Sequence, residues 1–330
     1  MVDYALSTLE QYDLEIKNVR KGRGSWVVSC KEGDFVLKEY SGSEEKAALQ
    51  KALTHQITEQ TGVLAQEIVP NREGGLLVKD AEERTYTLQT YMEGRECNLK
   101  EEKECESAII TMARMHQGMC LKLDTLQYQY PVLYSLKREF AKRNAELRRI
   151  RRYLKEKKNK NEFERFLYSH FNFFFEKALE TEEQWNLYEP YCSRDKDTMI
   201  FCHGDYQHHN VWMNFKETMV LQFEKYMPDL PSRDLYLFMR KLLEKSNWDI
   251  ECGQNVLKIY EHERPLPCIE RISMIYRLAY PEKFWKIANF YYNSKKSFMP
   301  EKNMDKLEKL LEQERAKEVF IEECAKNLDK

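Results

Sequence analysis

The sequence predicts an α+β protein of two unequal lobes: a small antiparallel-sheet lobe with one main helix, then a larger, mostly helical one. Three observations carry that expectation. β-prone runs bounded by turn residues crowd residues 14–91, whereas beyond residue 100 most apolar residues recur at helical spacing. A length of 330 residues suits roughly two domains at about 150 residues each. Finally, 11 Gly and 9 Pro are too few for a sandwich or barrel of tight turns, and a 33% charged share suits long solvated helices.

The elements follow in order. Residues 25–30 and 35–40 are strands joined by Lys31-Glu-Gly-Asp34, a hairpin signal. From Ser43 to Gln60, Ala47, Ala48, Leu49, Ala52, Leu53 and Ile57 mark one helix face after a serine cap, and Gly62 stops it. Residues 76–78 and 86–91 are further strands around the Glu82–Arg84 turn, and Met92-Glu-Gly-Arg95 breaks the pattern. The expected division is therefore a lobe of residues 1–93 and a helical lobe of residues 94–330. Helices are predicted over 103–119, 134–158, 162–179, 233–245, 250–263, 269–278, 282–293 and 303–328, interrupted by a β-like insert at 198–223.

Composition excludes several classes. With 53 Lys+Arg against 55 Asp+Glu, the chain lacks the basic balance of a general nucleic-acid binder. No run approaches the ~20 apolar residues that span a bilayer. The opening carries acids where a signal peptide needs a basic end and an apolar core. A cytoplasmic protein with no membrane and no nucleic-acid partner is expected. Nine scattered cysteines without C-x-x-C argue against a disulfide framework or structural zinc. The Lys/Arg-rich stretch 137–160 keeps an apolar stripe (Phe140, Leu147, Ile150, Leu154) and reads first as a solvated helix face. Docking of an acidic or phosphate-bearing partner is the other reading. Phe284, Trp285, Phe290, Tyr291 and Tyr292 share helical spacing and read as core.

The chemically informative stretch is Phe201-Cys-His-Gly-Asp-Tyr-Gln-His-His-Asn-Val211, which contains H-G-D-x-x-x-x-N. Phosphoryl transfer needs a carboxylate to orient or deprotonate the attacking hydroxyl, and an oxygen ligand for the phosphate-bound metal. Asp205 and Asn210 supply those types from one loop (residues 203–210), with His203 as a structural pin. Upstream, Lys38 ends the strand-borne Phe35-Val-Leu-Lys38, the position that neutralises nucleotide phosphates in kinases. Glu45, or Glu44, opens the next helix and could pair with it. Gly22 and Gly24 flank a turn where phosphates are covered, and Tyr91 and Met92, at the start of the link between lobes, are expected with Lys38, Glu45 and these glycines to bind the cofactor. A hydrolytic metal site from His203, His208 and His209 lacks the acid or thiol spacing that zinc needs.

This order of parts resembles the aminoglycoside phosphotransferase and choline kinase-like superfamily, and within it the CotS-type spore-coat proteins. The narrower resemblance rests on residues 163–179, on Asp229-Leu-Pro-Ser-Arg-Asp-Leu235 and on residues 281–294. It implies a protein-kinase-like fold, ATP and Mg²⁺ as cofactors, a small hydroxyl-bearing substrate and other spore-coat proteins as partners.

One departure matters. Where that superfamily carries I-D-F-D/E, whose first Asp grips Mg²⁺, this chain reads Val220-Leu-Gln-Phe-Glu224. Gln222 supplies an amide in place of a carboxylate, and magnesium prefers charged oxygen ligands. Glu224, two positions along a strand, could share the face of Gln222 and serve with Asn210; the resemblance, whose choline kinase-like members also carry a Glu there, favours a supporting role behind the metal ligands instead. Asp234 reads as a helix cap or buried hydrogen-bonder rather than a ligand, and Arg233 and Arg240 as packing residues. Two expectations result: a coat-associated pseudokinase with weak or absent phosphotransfer, or an active ATP-dependent small-molecule kinase.

Overall fold

The structure, a computed structural model, describes residues 4–22, 24–122, 135–189, 198–293 and 300–326. Arg23, Tyr134, Cys192, Ser294 and the expected last turn at 327–328 lie outside these residues. In chain order the elements are α1 (Tyr4–Ser7), β1 (Ile16–Lys21), β2 (Ser25–Cys30), β3 (Asp34–Glu39), α2 (Glu44–Thr61), β4 (Leu64–Ala65), β5 (Ile68–Val69), β6 (Val78–Lys79), β7 (Thr85–Thr90) and β8 (Arg95–Glu96). There follow α3 (Glu102–Gly118), β9 (Cys120–Lys122), α4 (Leu136–Glu156), α5 (Glu162–Tyr188), β10 (Thr198–Ile200), β11 (Val211–Met213) and β12 (Thr218–Val220). Helices α6 (Ser232–Lys245), α7 (Ile250–Glu263), α8 (Cys268–Ala279), α9 (Glu282–Asn293) and α10 (Pro300–Lys326) complete the chain. The α+β class is as expected.

Two compact units emerge: Met1–Pro131 with Lys196–Pro228 and Ile259–Arg264, and Val132–Asp195 with Asp229–Lys258 and Pro265–Lys330. In the first, β1-β2-β3-β7-β5 form an antiparallel sheet with β6 added to β7. Val28, Leu37 and Leu88 are fully buried on one face of it against Ala5, Leu9 and Tyr12. The Ser43 hydroxyl accepts the Lys46 N–H at 3.3 Å to cap α2, and Gly62, in the left-handed region at φ +70°, ends it.

A second sheet in this unit, β4-β12-β11-β8, decides where the candidate loop belongs. β12 runs antiparallel to β11 but parallel to β4, with Met219 opposite Leu64, while β11 pairs with β8. Gly94 permits that second pairing, because a Cβ there would lie 2.5 Å from the Met213 carbonyl oxygen. A boundary at residue 93 assigns the 203–210 loop to the helical lobe. In the structure β11, which follows the loop, pairs with β8 and β12, and β12 in turn pairs with β4, so the loop lies in the sheet-bearing unit.

The second unit is helical. Phe140, Leu147, Phe163, Leu167, Phe171, Phe174 and Phe284 are buried in its core, with the Phe174 and Phe284 rings stacked at 4.5 Å. α5 begins with a reciprocal capping box between Asn161 and Glu164. It runs nine residues beyond the predicted end because Thr181 and buried Trp185 continue the apolar stripe across a polar stretch. The aromatic group of α9 divides: Phe284 and Tyr291 are buried, Trp285 is half-buried, and Phe290 and Tyr292 are exposed. On α4, Arg148, Arg149, Arg151 and Arg152 are exposed. Arg233 and Arg277 both hold buried Asp229, at 3.1 and 2.8 Å, and Arg240 reaches Glu244 at 2.8 Å. Asp234 is fully buried in the first turn of α6, where Pro231 rather than Asp234 holds the cap position.

Candidate active site

Lys38 lies on β3 between Ser25 of β2 and Thr87 of β7, and its alternating position turns the side chain away from the Leu37 core. Its ammonium is buried and meets three acceptors: an ion pair with Glu224, and hydrogen bonds to Gln222 Oε1 at 3.3 Å and Gln66 Oε1 at 3.4 Å. The Gln89 amide donates to Glu224 Oε1 at 3.1 Å, and the Gln222 N–H donates to Gln66 Oε1 at 3.2 Å. Burial pulls the Lys38 amine below the ordinary lysine value, against the opposing charge of Glu224. For Glu224, burial pushes up, but the Lys38 charge and hydrogen bond outweigh it and hold the carboxyl below its usual range.

The expected partner of Lys38 is corrected here. Glu45 stands exposed in the first turn of α2, with its carboxylate on the Ser43 side chain, and Glu44 Oε1 accepts the Leu76 N–H at 2.9 Å. Neither reaches Lys38. The strand argument for Glu224 also fails in detail, because β12 ends at Val220. Gln222 adopts a left-handed backbone at φ +65°, and Phe223–Lys225 form a single 3₁₀ turn. That turn, rather than strand alternation, brings both Gln222 and Glu224 onto Lys38.

The loop is built around His203, which is fully buried. Its Nδ1 accepts the Asp205 N–H at 3.2 Å and its Nε2 lies 2.7 Å from the Leu221 carbonyl oxygen, so the Nε2–H tautomer satisfies both contacts. Asn210 donates from Nδ2 to the Asp205 carbonyl at 2.8 Å, and its own carbonyl accepts the Leu221 N–H at 2.8 Å. The loop and the 221–225 segment are thereby stitched together. Gly204 makes the closest approach possible: at φ +78°, it leaves room where a Cβ would meet the Lys225 carbonyl oxygen at 2.2 Å. The Asp205 carboxylate accepts from Lys225 Nζ at 2.7 Å and from the Gln207 amide at 2.5 Å. Burial raises its pKa, but those two hydrogen bonds and the Lys225 charge hold it below the ordinary aspartate value.

The remaining predicted residues are more dispersed. Gly22 and Gly24 form the β1–β2 hairpin turn, in which the Gly22 N–H donates to the Ser25 carbonyl at 2.8 Å. Tyr91 directly follows β7, its hydroxyl accepting from Arg20 at 3.2 Å, and half-buried Met92 comes next. Asp234 belongs to the other compact unit. Sequence reasoning missed Gln66, Gln89 and Lys225. For the two glutamines a signal existed, since Gln89 interrupts the β-prone run 86–91 and Gln66 lies between two short strands.

The donor set tests the fit of Mg²⁺. Asn210 and Gln222 offer neutral amide oxygens, and the two carboxylates of the site are each paired with a lysine, Glu224 with Lys38 and Asp205 with Lys225. Magnesium binds through charged carboxylates and phosphates and dehydrates reluctantly. These residues do not fit it in the manner of an Asp–Asn pair.

Over residues 7–324 the chain matches the family described as "Spore coat putative kinase YutH". It belongs to that family. The resemblance to spore-coat proteins is thus met, under the YutH rather than the CotS name. No curated protein matches the chain in sequence. Among solved structures, an aminoglycoside phosphotransferase from Alicyclobacillus acidocaldarius is similar with a TM-score of 0.81 at 18% identity, covering 98% of this chain and 96% of its own. Spectinomycin phosphotransferase, solved with ADP and spectinomycin, gives 0.61 at 12% identity over 93% and 92%. A microcompartment-associated aminopropanol kinase gives 0.58 at 12% identity over 94% and 95%. These likenesses establish the YutH-family chain's fold as that of the phosphotransferases and choline kinase-like enzymes. Among the described residues, no helix is long and apolar enough to cross a membrane.

Proposed function

We propose that this YutH-family chain serves the spore coat as a kinase-fold component that engages nucleotide but transfers phosphate weakly or not at all. The observation carrying this reading is Gln222, which stands where the superfamily pattern has its metal-gripping aspartate and hydrogen-bonds Lys38 at 3.3 Å. Losing that carboxylate removes charge stabilisation from a phosphoryl-transfer centre, a cost of several kcal/mol, or on the order of hundreds- to thousands-fold in rate. The family match supports location in the coat and other coat proteins as partners. The test is ATP turnover with Mg²⁺ by the wild type and by Gln222→Asp. The expected result is background turnover in the wild type and gain of metal-dependent turnover in the variant. Wild-type turnover at about 1–100 s⁻¹, the usual kinase range, overturns the reading.

A second reading has its own support. Asp205 and Asn210 share one hydrogen-bonded loop, which the 221–225 segment links to Lys38. That arrangement favours an ATP-dependent kinase acting on a small hydroxyl-bearing molecule, the class to which spectinomycin and aminopropanol belong. The same turnover measurement decides between them.

A further inference from the structure

We infer that Lys225 supplies, as a fixed ammonium, the positive charge that a divalent cation would otherwise bring, which makes this a metal-independent site for a nucleoside di- or triphosphate. The inference rests on the preceding reading that the site engages nucleotide without magnesium chemistry.

Charge balance is the first support. The site holds two cations, Lys38 and Lys225, and two anions, Asp205 and Glu224, while Gln66, Gln89, Asn210 and Gln222 are neutral. An aspartate at position 222 would leave a surplus negative charge facing an incoming polyphosphate, and a metal ion would have to offset it. With glutamine the set is already neutral.

The second support is the state of the two ammonium groups. A lysine has three N–H donors. Those of Lys38 face Glu224, Gln222 and Gln66, and its side chain is 9% exposed, so a phosphate could gain one only by displacing a partner. Lys225 is 68% exposed and among the described residues has one hydrogen-bond partner, Asp205. Two of its protons therefore remain for phosphate oxygens while the third stays on the carboxylate. Lysine binds phosphate as a compact point charge.

Position is the third. The Lys225 backbone is pressed against the H-G-D loop at Gly204, so its ammonium is held beside the carboxylate that would face the transferred phosphate. A plain surface ion pair is the competing account, and exposed pairs contribute little. That account predicts no change in ligand affinity when Lys225 is removed.

The experiment is isothermal titration calorimetry with ATP and with adenosine, in EDTA and in excess Mg²⁺, on wild type, Lys225→Ala, Lys225→Arg and, as a control, Lys216→Ala, an exposed lysine in the turn between β11 and β12. Wild type is expected to bind ATP in EDTA within about threefold of its affinity in Mg²⁺. Lys225→Ala should weaken ATP binding in EDTA by about tenfold, about 1.4 kcal/mol, and leave adenosine binding unchanged. Lys225→Arg and Lys216→Ala should bind ATP as the wild type does. A strict need for Mg²⁺, no ATP binding in EDTA, or an unchanged affinity in Lys225→Ala each overturns the inference. Circular dichroism melting confirms that each variant is folded before titration. ATP binding that requires Mg²⁺ fails this inference alone; no ATP binding with or without Mg²⁺ fails the functional reading as well, and wild-type turnover in Mg²⁺ tests that reading separately.

Discussion

Replacing Glu224 with Gln removes one charge from the most buried ion pair of the site while keeping its shape. Breaking a buried pair costs about 3–5 kcal/mol because the surviving charge is left uncompensated. Here the penalty is smaller, since the Glu224 side chain is 25% exposed and a glutamine oxygen can still accept from Lys38. About 2 kcal/mol is the expected loss at neutral pH. For a unit of 150–250 residues each kcal/mol moves Tm by about 2–4 °C, so a drop of about 4–8 °C should appear by differential scanning calorimetry.

The pH dependence sharpens this test. Burial already sets the folded-state pKa of Lys38 below its unfolded value. Between those two values the unfolded chain binds more protons, so stability rises with pH. Without Glu224 the folded value falls further, the window widens, and the variant recovers toward the wild type as pH approaches 10. At the acid end, the depressed carboxyl of Glu224 stabilises the wild type only above its folded value, and that contribution is lost as pH falls through it. The difference between the two proteins should peak near neutrality and shrink at both extremes. An equal deficit at pH 7 and pH 10, or none at pH 7, would refute the account of the Lys38 pair.

Further predictions concern other parts of the molecule. Gly204→Ala forces a side chain against the Lys225 carbonyl from a left-handed backbone and should destabilise the fold by about 2 kcal/mol, read as a lower denaturation midpoint. An unchanged midpoint would mean the loop can move away from residue 225. Phe284→Ala empties the centre of the helical unit, where the ring is fully buried against Phe174 and Phe171, and should cost about 3–5 kcal/mol by urea unfolding. The Cys324 thiol, pushed up to about 11 chiefly by burial, should react with iodoacetamide at pH 8 more slowly than the exposed Cys120, as resolved by peptide mass spectrometry.

Local chemistry made much of this molecule legible before any coordinates. The Ser43 cap and Gly62 stop bound α2 in the structure as they do in the sequence, since both signals act within one helical turn. The run 25–30 became β2 with the same limits, and 250–263 and 282–293 became α7 and α9. Long-range pairing was harder to read. Nothing near residues 64–65 announces that they lie parallel to β12, so the position of the loop among the units could not be read from residue 93. Within the site, Lys38, Gln222 and Glu224 were individually visible, but their mutual contact depends on the left-handed turn at Gln222, which apolar periodicity does not encode. That is why Glu45, adjacent in sequence logic, was expected on Lys38 and Glu224 is found there.

The pairing of β12 with β4 also has a consequence for biogenesis. Leu64 waits for Met219, a partner synthesised 155 residues later by the numbering of that register. At about 5–20 residues per second, a ribosome takes roughly 8–30 s to deliver it. Through that interval the short strand emerges with an unpaired edge, the kind of surface that recruits stray neighbours. Slowed elongation between those codons should therefore raise the aggregated fraction more than an equal delay placed after residue 228.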